Sequence, residues 1–434
     1  MNNYFIESLK IKNLWGYRDI ARTFHKDVNI LIGPNGSGKT TILNLLHSIL
    51  SGDLRSISNV NFEQVKIRLR SFKGRSIRTI RVDIADGFLK LKVGQKEHKI
   101  HTDILSDRRS IQRPLFYLHE RSNVVRNMLS EEIDGELTAL VPLVWLPVSR
   151  RLPVTEYEEE RHTRTEPLES VDLRLEKLLD ALSRYHSGLN ALLSKRYKDF
   201  EREVLSVILY SKDRDKLNSI SFSSPAKAKI EKKQLLGAFE AAGLLDEQMQ
   251  NRIDEHFAAV EEVVKRSPKG KNVYLESEDI FVLPLIGRTQ DMVKYAGELE
   301  EDREHIFALL RHYEEAVNSF LDDKSVEVDD SGDLKIKSSA GSNLDWHFLS
   351  SGEKQILILL TEALLRVNKP VVYIADEPEL SLHIKWQVRL LESLMSLDKS
   401  LKPAGEKMQI IVATHSPDIV GNFQDKVIDL GRAS

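Results

Sequence analysis

Residues 28–50 read VNILI-GPNGSGKT-TILNLLHSIL, and their pattern is the strongest indication of the fold. The first five residues predict a short apolar strand. After the glycines, apolar side chains recur at helical spacing at Ile42, Leu45 and Ile49. A strand, a glycine-rich turn and a helix in this order are the context of a phosphate-binding loop in an α/β fold.

This phosphate loop, residues 33–40, carries the strongest chemical signal in the chain. Glycines let the backbone approach a phosphate chain closely, and the following helix points the positive end of its dipole at it. We expect Lys39 to reach the β and γ phosphates of ATP, and the Thr40 hydroxyl to hold Mg²⁺. The residues predicted here to contact the nucleotide are Asn35, Gly36, Ser37, Gly38, Lys39, Thr40 and Thr41.

A second motif, VVYIADEP at residues 371–378, delivers two adjacent acids at the polar end of an apolar strand. Two neighbouring carboxylates are costly without a cation, which favours a metal site over a purely structural role. Asp376 is predicted to hold Mg²⁺. Glu377 is predicted to act as the general base that polarises the attacking water.

Two weaker motifs follow the same logic. LSSGEKQ, residues 349–355, opens a helix with small residues, which is either an anion site or an ordinary N-cap. His415, in ATHSP after an apolar strand, is predicted to sense the γ phosphate or to orient water, against a structural alternative. The residues of the LSSGEKQ motif that are predicted to contact nucleotide are Ser350, Ser351, Gly352 and Glu353.

The rest of the chain is organised around these motifs. Residues 60–100 alternate as antiparallel β-structure, whereas residues 156–325 are charged and helical, with helices expected around 234–265 and 290–321. We therefore predict an α/β head built from residues 1–155 and 326–434, interrupted by a helical insertion. The insertion lacks the sustained heptads of a long coiled coil.

Composition excludes several classes of protein. The sequence has 434 residues and no cysteine, which excludes disulfides and thiolate metal sites. Its net charge of −3 argues against a dedicated DNA-coating protein. No apolar run is long enough to cross a bilayer, and the first residues lack the apolar core of a signal peptide. We expect a cytoplasmic protein without a membrane partner.

The order of the four motifs resembles that of the ABC ATPase superfamily. The chain is most similar to the soluble branch that contains the SMC, Rad50, RecF and OLD-type ATPases, over roughly residues 1–150 and 345–431. DEPELSLH at residues 376–383 and ATHSP at 413–417 are typical of the OLD-like members. LSSGEKQ departs from the LSGGQ signature motif of transporters but is a common variant in this branch. The resemblance implies an ABC ATPase head that converts ATP to ADP and phosphate.

The resemblance also implies a head-to-tail dimer that encloses two ATP molecules. Each subunit gives Lys39 to one ATP and residues 350–352 to the other. Residues 381–383 occupy the place of the loop that communicates across the dimer.

Two further parts of the family's site are assigned less directly. Trp15 or Tyr17 is placed to stack on adenine, with packing in the N-terminal sheet as the equal alternative. For the glutamine of the family's Q-loop, Gln112 is one candidate, and residues 147–151 are a candidate for the equivalent switch.

Several members of the superfamily fit less well. Transporter ATPases have a shorter gap between phosphate loop and signature, and full OLD proteins carry a TOPRIM nuclease after the ATPase, whereas 19 residues follow His415 here. The pattern resembles the sensor ATPases of the antiphage systems PARIS and Septu. It implies a separate effector chain of the TOPRIM nuclease type, a phage trigger protein as a candidate partner, and a dimer or a larger ring.

The alternative is a DNA-repair clamp similar to RecF or Rad50, with DNA as a candidate partner. Its basis is a basic strip without acids between residues 66 and 82, which could equally be a solvated strand face. The cations of the strip are Lys66, Arg68, Arg70, Lys73, Arg75, Arg78 and Arg81. A second basic cluster, residues 227–233, is a candidate loop.

Overall fold

The computed structural model describes residues 4–102, 133, 135–146, 170–209, 225–241, 245–266, 279–366, 370–399 and 408–431. The chain divides into two compact units. The head unit comprises residues 1–182 and 312–434, and the second unit comprises residues 183–311. Both Q-loop candidates, Gln112 and residues 147–151, lie outside the described residues.

An antiparallel sheet of six strands forms one layer of the head. Its strands alternate between buried apolar and exposed polar residues, so one face packs on the core and the other meets solvent. The strand order is β2-β1-β4-β5-β6-β7. The strands are Tyr4–Leu14 (β1), Arg18–Thr23 (β2), Gln64–Ser71 (β4), Ile77–Ala85 (β5), Phe88–Val93 (β6) and Lys96–His101 (β7).

A parallel sheet of five strands carries the motifs. Its central strands are almost wholly buried, as expected for a sheet covered on both faces. Because the strands are parallel, the residues that follow Val28–Ile32, Val371–Asp376 and Met408–Ala413 meet at one edge of the sheet. In the order β14-β3-β13-β12-β8, the strands are Val427–Asp429 (β14), Val28–Ile32 (β3), Met408–Ala413 (β13), Val371–Asp376 (β12) and Leu143–Leu146 (β8).

Helices pack beside these sheets, and a small third sheet precedes the signature motif. The helices are the phosphate-loop helix (Lys39–Leu50), Leu54–Ser58, the signature helix (Ser351–Arg366), Ile384–Lys399 and Pro417–Val420. The third sheet contains Lys324–Val328 (β9), Leu334–Ser338 (β10) and Asn343–Leu344 (β11). This sheet was not predicted from the sequence, because its short strands bury few side chains, among them Val326 and Ile336.

Long helices make up the described part of the insertion: Ser170–Ile208, Pro225–Ala241, Glu247–Arg266 and Asp279–Asn318. The second and fourth begin earlier than the predicted starts near residues 234 and 290. For the second helix, Pro225 takes the first helical position, where the missing N–H of proline costs nothing. The second basic cluster, which was predicted as a candidate loop, therefore lies within this helix, at Lys227, Lys229, Lys232 and Lys233.

These elements confirm the predicted fold class, a mixed α/β head interrupted by a long helical insertion. No helix among the described residues is both long and apolar enough to cross a membrane.

Candidate nucleotide site

A cavity of about 350 Å³ opens at the edge where β3 and β12 end. It is lined by every residue of the phosphate-loop region that was predicted to contact the nucleotide, and by both predicted catalytic residues. The residues that line it are Trp15, Asn35, Gly36, Ser37, Gly38, Lys39, Thr40, Thr41, Glu377 and His415. Residues from four separate parts of the sequence thus meet where the phosphates of a nucleotide are expected.

Glycine is required in the phosphate loop by geometry. Gly33 has a φ of 150°, and a Cβ there would lie 2.8 Å from the Ser37 hydroxyl oxygen. Gly38 has a φ of 91°, and a Cβ there would lie 2.9 Å from the Trp15 ring. At Gly36, with a φ of 78°, a Cβ would meet nothing within 4 Å, so this backbone faces open space. The loop therefore presents bare backbone to the cavity.

Lys39 is 5% exposed and its ammonium group is folded onto the loop. Nζ donates to the carbonyl oxygens of Gly33 at 2.8 Å and Pro34 at 3.4 Å. These hydrogen bonds satisfy the buried cation and fix its position beside the loop amides. A phosphate group entering the cavity would meet a charge that is already in place.

Arg18 stabilises the phosphate loop through one of its backbone carbonyls. This role was not predicted from the sequence. The Arg18 guanidinium group donates to the carbonyl oxygen of Ser37 at 2.8 Å and to that of Leu430 at 2.6 Å. The arginine thus ties the phosphate loop to the last strand of the parallel sheet. A single arginine on a strand gives no sequence signal for such contacts, because the partners are 19 and 412 residues away.

Asp376 has the properties of a cation ligand. Its Oδ1 is buried and has no hydrogen-bond partner among the described residues. Burial raises the pKa of this carboxyl group, and the neighbouring charges of Glu377 and Glu379 add to the rise, against a hydrogen bond from the Thr40 side chain. A buried carboxylate oxygen without a partner, beside a hydroxyl group, fits the oxygen ligands that Mg²⁺ prefers.

Glu377 is held in an unusual backbone conformation. Its φ is 52°, and its N–H donates to the carbonyl oxygen of Ala413 at 2.8 Å. A positive φ is strained for a residue with a side chain and occurs most often where function requires it. Oε1 of Glu377 lies 3.7 Å from Nε2 of His415, so the two predicted catalytic side chains are neighbours.

Glu379 belongs to the DEPELSLH motif, but no role for its side chain was predicted from the sequence. Its Oε1 accepts hydrogen bonds from the Thr414 hydroxyl at 2.6 Å and the His415 N–H at 2.9 Å. It therefore joins the chain after β12 to the chain after β13 and positions His415. Trp15 lines the cavity whereas Tyr17 is 77% exposed, so Trp15 is the better placed of the two predicted aromatic residues.

The signature residues lie elsewhere. Residues 350–353 are all described, yet none of them lines the cavity. The Ser350 N–H donates to Oε2 of Glu353 at 2.7 Å, and the Glu353 N–H donates back to the Ser350 hydroxyl at 3.3 Å, which is a capping box. Lys324 contacts Oε1 of Glu353 at 2.7 Å. Burial opposes ionisation of Glu353, but these partners prevail and lower its pKa.

Gly352 packs tightly against the loop that follows Glu377. A Cβ at this position would lie 2.6 Å from the backbone oxygen of Ser381, whose own φ is 70°. The glycine therefore lets the start of the signature helix pack directly against the backbone of Ser381.

Replacing Gly352 with alanine is expected to lower the free energy of unfolding by about 1–3 kcal/mol, because a backbone atom must move to admit the methyl group. Urea denaturation of the ligand-free protein measures this effect. Gly188→Ala is the matched control, since Gly188 is helical and nothing lies within 4 Å of its Cβ position. That control should be neutral or slightly stabilising. Equal stability of the two variants would contradict the close contact.

Replacing Asp376 with asparagine is expected to stabilise the ligand-free protein at neutral pH. The pKa of Asp376 is raised from 3.8 in the folded state, so ionisation costs folding free energy as pH rises above that value. The gain in Tm over wild type should be present at pH 7 and shrink towards pH 4. Thermal unfolding across this range tests it. Asp329→Asn is the control, because the pKa of Asp329 is lowered, mainly by a backbone hydrogen bond from Asp333. A gain in Tm for Asp376→Asn that does not change with pH would refute the raised pKa of Asp376.

Comparison with known proteins agrees with this geometry. Residues 5–420 match the family model described as AAA ATPase domain. The chain is 20% identical to the Retron Vc95 probable ATPase of Vibrio cholerae over 97% of its own length and 73% of that protein. It is 25% identical to the DNA double-strand break repair Rad50 ATPase of Methanopyrus kandleri over 39% of its length, and 39% identical to the Septu protein PtuA of Bacillus thuringiensis over 14%.

These matches differ in extent. The chain spans 21% of the Rad50 protein and 15% of PtuA. A solved Smc head domain with an extended coiled coil, from Pyrococcus furiosus, aligns with 98% of this chain and 93% of its own length, with a TM-score of 0.43 and 15% identity. The family model, in contrast, covers most of the sequence and all four motifs. The chain therefore belongs to the AAA ATPase domain family, and it is a nucleotide-binding ATPase.

Proposed function

We propose that this ATPase works as a dimer in which two copies enclose two ATP molecules head to tail. The observation that carries the proposal is the position of residues 350–353, which open a helix outside the cavity that holds Lys39 and Glu377. A helix start with exposed small residues can bind phosphate oxygens, but here it has no nucleotide of its own to bind. A second copy in opposite orientation supplies one.

In this proposal the residues of the cavity have distinct tasks. Lys39 and the loop amides bind the β and γ phosphates. Thr40 and Asp376 hold Mg²⁺, which neutralises phosphate charge when bound. Glu377 accepts the proton of the attacking water, and His415, held by Glu379, orients the γ phosphate or the water. Trp15 stacks on adenine.

We further propose that the dimer is the sensor and scaffold subunit of an antiphage defence system. One relative, aligned over nearly the whole chain, is a retron probable ATPase, and a shorter match is a Septu protein. The ATPase would hold a separate effector chain, of the TOPRIM nuclease type, and release or activate it when a phage trigger protein binds. The helices of the insertion offer surface for a larger ring.

The test is native mass spectrometry of the complex isolated through this chain, from cells that carry its neighbouring genes, with ATP present. A stoichiometric nuclease-like partner on an oligomeric ATPase would support the defence role. An ATP-dependent dimer that brings down DNA and no protein partner would refute the defence role and favour the repair clamp.

One observation favours the second candidate function, a DNA-binding clamp. Four cations from adjacent strands lie opposite one another in register on the exposed face of the antiparallel sheet: Lys10, Lys66, Arg81 and Lys92. Like charges directly opposite each other destabilise a sheet. A row of this kind matches the phosphate backbone of a nucleic acid.

Acids offset part of the predicted basic strip. Glu7 forms ion pairs with Arg68 and Arg70, and Asp83 pairs with Arg81. The strip is therefore less basic than its sequence indicates, and the row depends mainly on its lysines.

A salt titration separates the two candidates. For a clamp, DNA affinity should fall steeply with salt, and Lys66→Gln should reduce the slope of log Kd against log salt by about 1. Lys337→Gln is the control, since Lys337 is paired with Glu327 on another sheet. DNA binding that is absent, or unchanged by Lys66→Gln, would rule out this face.

A further inference from the structure

His415 reaches the nucleotide cavity from the loop that follows β13. Its imidazole side chain is 41% exposed, so packing alone does not fix the direction of the ring. Glu379 holds the first half of this loop through the His415 N–H. The second half ends at Ser416, whose hydroxyl group accepts from the Asp418 N–H at 3.1 Å and caps the short helix that follows. The placement of His415 therefore depends on both ends of the loop.

Gln387 is the anchor at Ser416. It lies in the first turn of the helix Ile384–Lys399, and its Oε1 accepts a hydrogen bond from the Ser416 hydroxyl at 2.7 Å. Its Nε2 donates to the carbonyl oxygen of Leu382 at 2.9 Å and to that of Glu379 at 3.5 Å. Because backbone carbonyls only accept, the amide group has one orientation and uses both of its ends.

Stabilisation of its own helix does not explain these contacts. The start of a helix leaves N–H groups unsatisfied, and a capping side chain accepts hydrogen bonds from them. Gln387 instead donates to two carbonyls of the loop before the helix, and it accepts from a residue 29 positions farther along the chain. The side chain therefore joins two loops.

The loop to which Gln387 donates, residues 378–382, is itself fixed by the signature helix. Nε2 of Gln355 donates to the carbonyl oxygen of Pro378 at 3.0 Å in a buried hydrogen bond. Gly352, on the same helix, packs against the backbone of this loop. A second loop that is tied to this one is held in place as well.

We propose that Gln387 is a positioning residue for ATP hydrolysis, which directs His415 towards the γ phosphate and the attacking water. The proposal rests on the proposed roles of Glu377 and His415 in the reaction. Nε2 of His415 lies 3.7 Å from Oε1 of Glu377, and a tilt of the His415 loop would change this separation. A displacement of about 1 Å at a reacting group can cost about 10²-fold in rate.

The test is steady-state ATP hydrolysis by the full chain with Gln387→Met, which has a similar length and no amide. We expect kcat to fall by about tenfold to a hundredfold while KM for ATP is unchanged, because the lost interaction acts in the transition state. Binding sites are counted by titration with a fluorescent ATP analogue, so that unfolded protein does not enter kcat. Gln250→Met, at an exposed position on the helix Glu247–Arg266, is the matched control and should match wild type.

A double mutant shows whether Gln387 acts through His415. His415→Ala should itself lower kcat. Adding Gln387→Met to it should lower kcat by no more than about twofold further, because the residue to be positioned is gone. A general defect of the fold would instead multiply the loss that His415→Ala causes.

Ser416 tests the same link from its other end and replaces Gln387→Met if that variant does not fold. Ser416→Ala should lower kcat, whereas Ser416→Thr keeps the hydroxyl group and should retain the wild-type value. Wild-type kcat in Gln387→Met or Ser416→Ala, or losses that multiply in the double mutant, overturns the positioning role alone. Wild-type kcat in His415→Ala overturns the proposed role of His415 and the positioning role with it.

Discussion

Replacing Glu377 with glutamine is expected to lower ATP turnover by about 10²–10⁴-fold while leaving ATP affinity intact, because a positioned general base contributes an effect of that size. Glutamine has the same shape, so the strained backbone at this position is kept. With hydrolysis blocked, the ATP-bound dimer should accumulate. Phosphate release and size-exclusion chromatography with light scattering measure the two effects.

Glu392→Gln is the matched control for this experiment. Glu392 is exposed, bonds to Asn422 at 2.7 Å and does not line the cavity. It should hydrolyse ATP like wild type. If Glu377→Gln remains monomeric with saturating ATP, the head-to-tail dimer is wrong. If it retains full turnover, Glu377 is not the base.

Replacing Lys39 with methionine is expected to weaken ATP binding by about tenfold to a hundredfold and to abolish turnover. The loss corresponds to the roughly 1.5–3 kcal/mol that hydrogen bonds to charged groups contribute. Binding of a fluorescent ATP analogue measures it. Because Nζ also holds the carbonyls of Gly33 and Pro34, the Tm of the variant should be recorded beside it.

Two variants separate the charge of Lys39 from the order of the loop. Arg18→Gln removes the support of the Ser37 carbonyl without touching the ammonium group, and it should cost less affinity than Lys39→Met. Lys198→Met, at an exposed helical position in the second unit, should have no effect. Wild-type affinity in Lys39→Met would mean that the phosphates bind elsewhere.

The parts of this molecule that the sequence predicts well are those with strong local rules. The strand Val28–Ile32 has the same bounds in the prediction and in the structure, because an apolar run ends there at a glycine turn. The position of Asp376 and Glu377 at or beside the cavity also follows from a simple rule, because the carboxyl ends of parallel strands lie at one edge of the sheet. The AAA ATPase domain family match confirms the ATPase activity that these motifs predicted.

The parts that could not be predicted depend on partners far away in the chain. Arg18 bonds to Leu430, and Gln409 bonds to both the N–H and the carbonyl of Ile6, 403 residues away. No spacing rule connects such residues. The ion pairs that Glu7 makes with the basic strip show the same limit, because a strip counted along one strand omits the neighbouring strand.

The order of strands in the parallel sheet has a consequence for synthesis of the protein. The strand that carries the phosphate loop, β3, has β13 and β14 as its two neighbours, and both lie beyond residue 407. During synthesis on the ribosome, β3 therefore has neither neighbouring strand until some 380 further residues have been made. This takes roughly 20–80 s at typical elongation rates. A chain stopped before Met408 contains the whole phosphate loop but neither strand that holds it. Such truncated products expose apolar strand edges and should be degraded or aggregate rather than bind nucleotide.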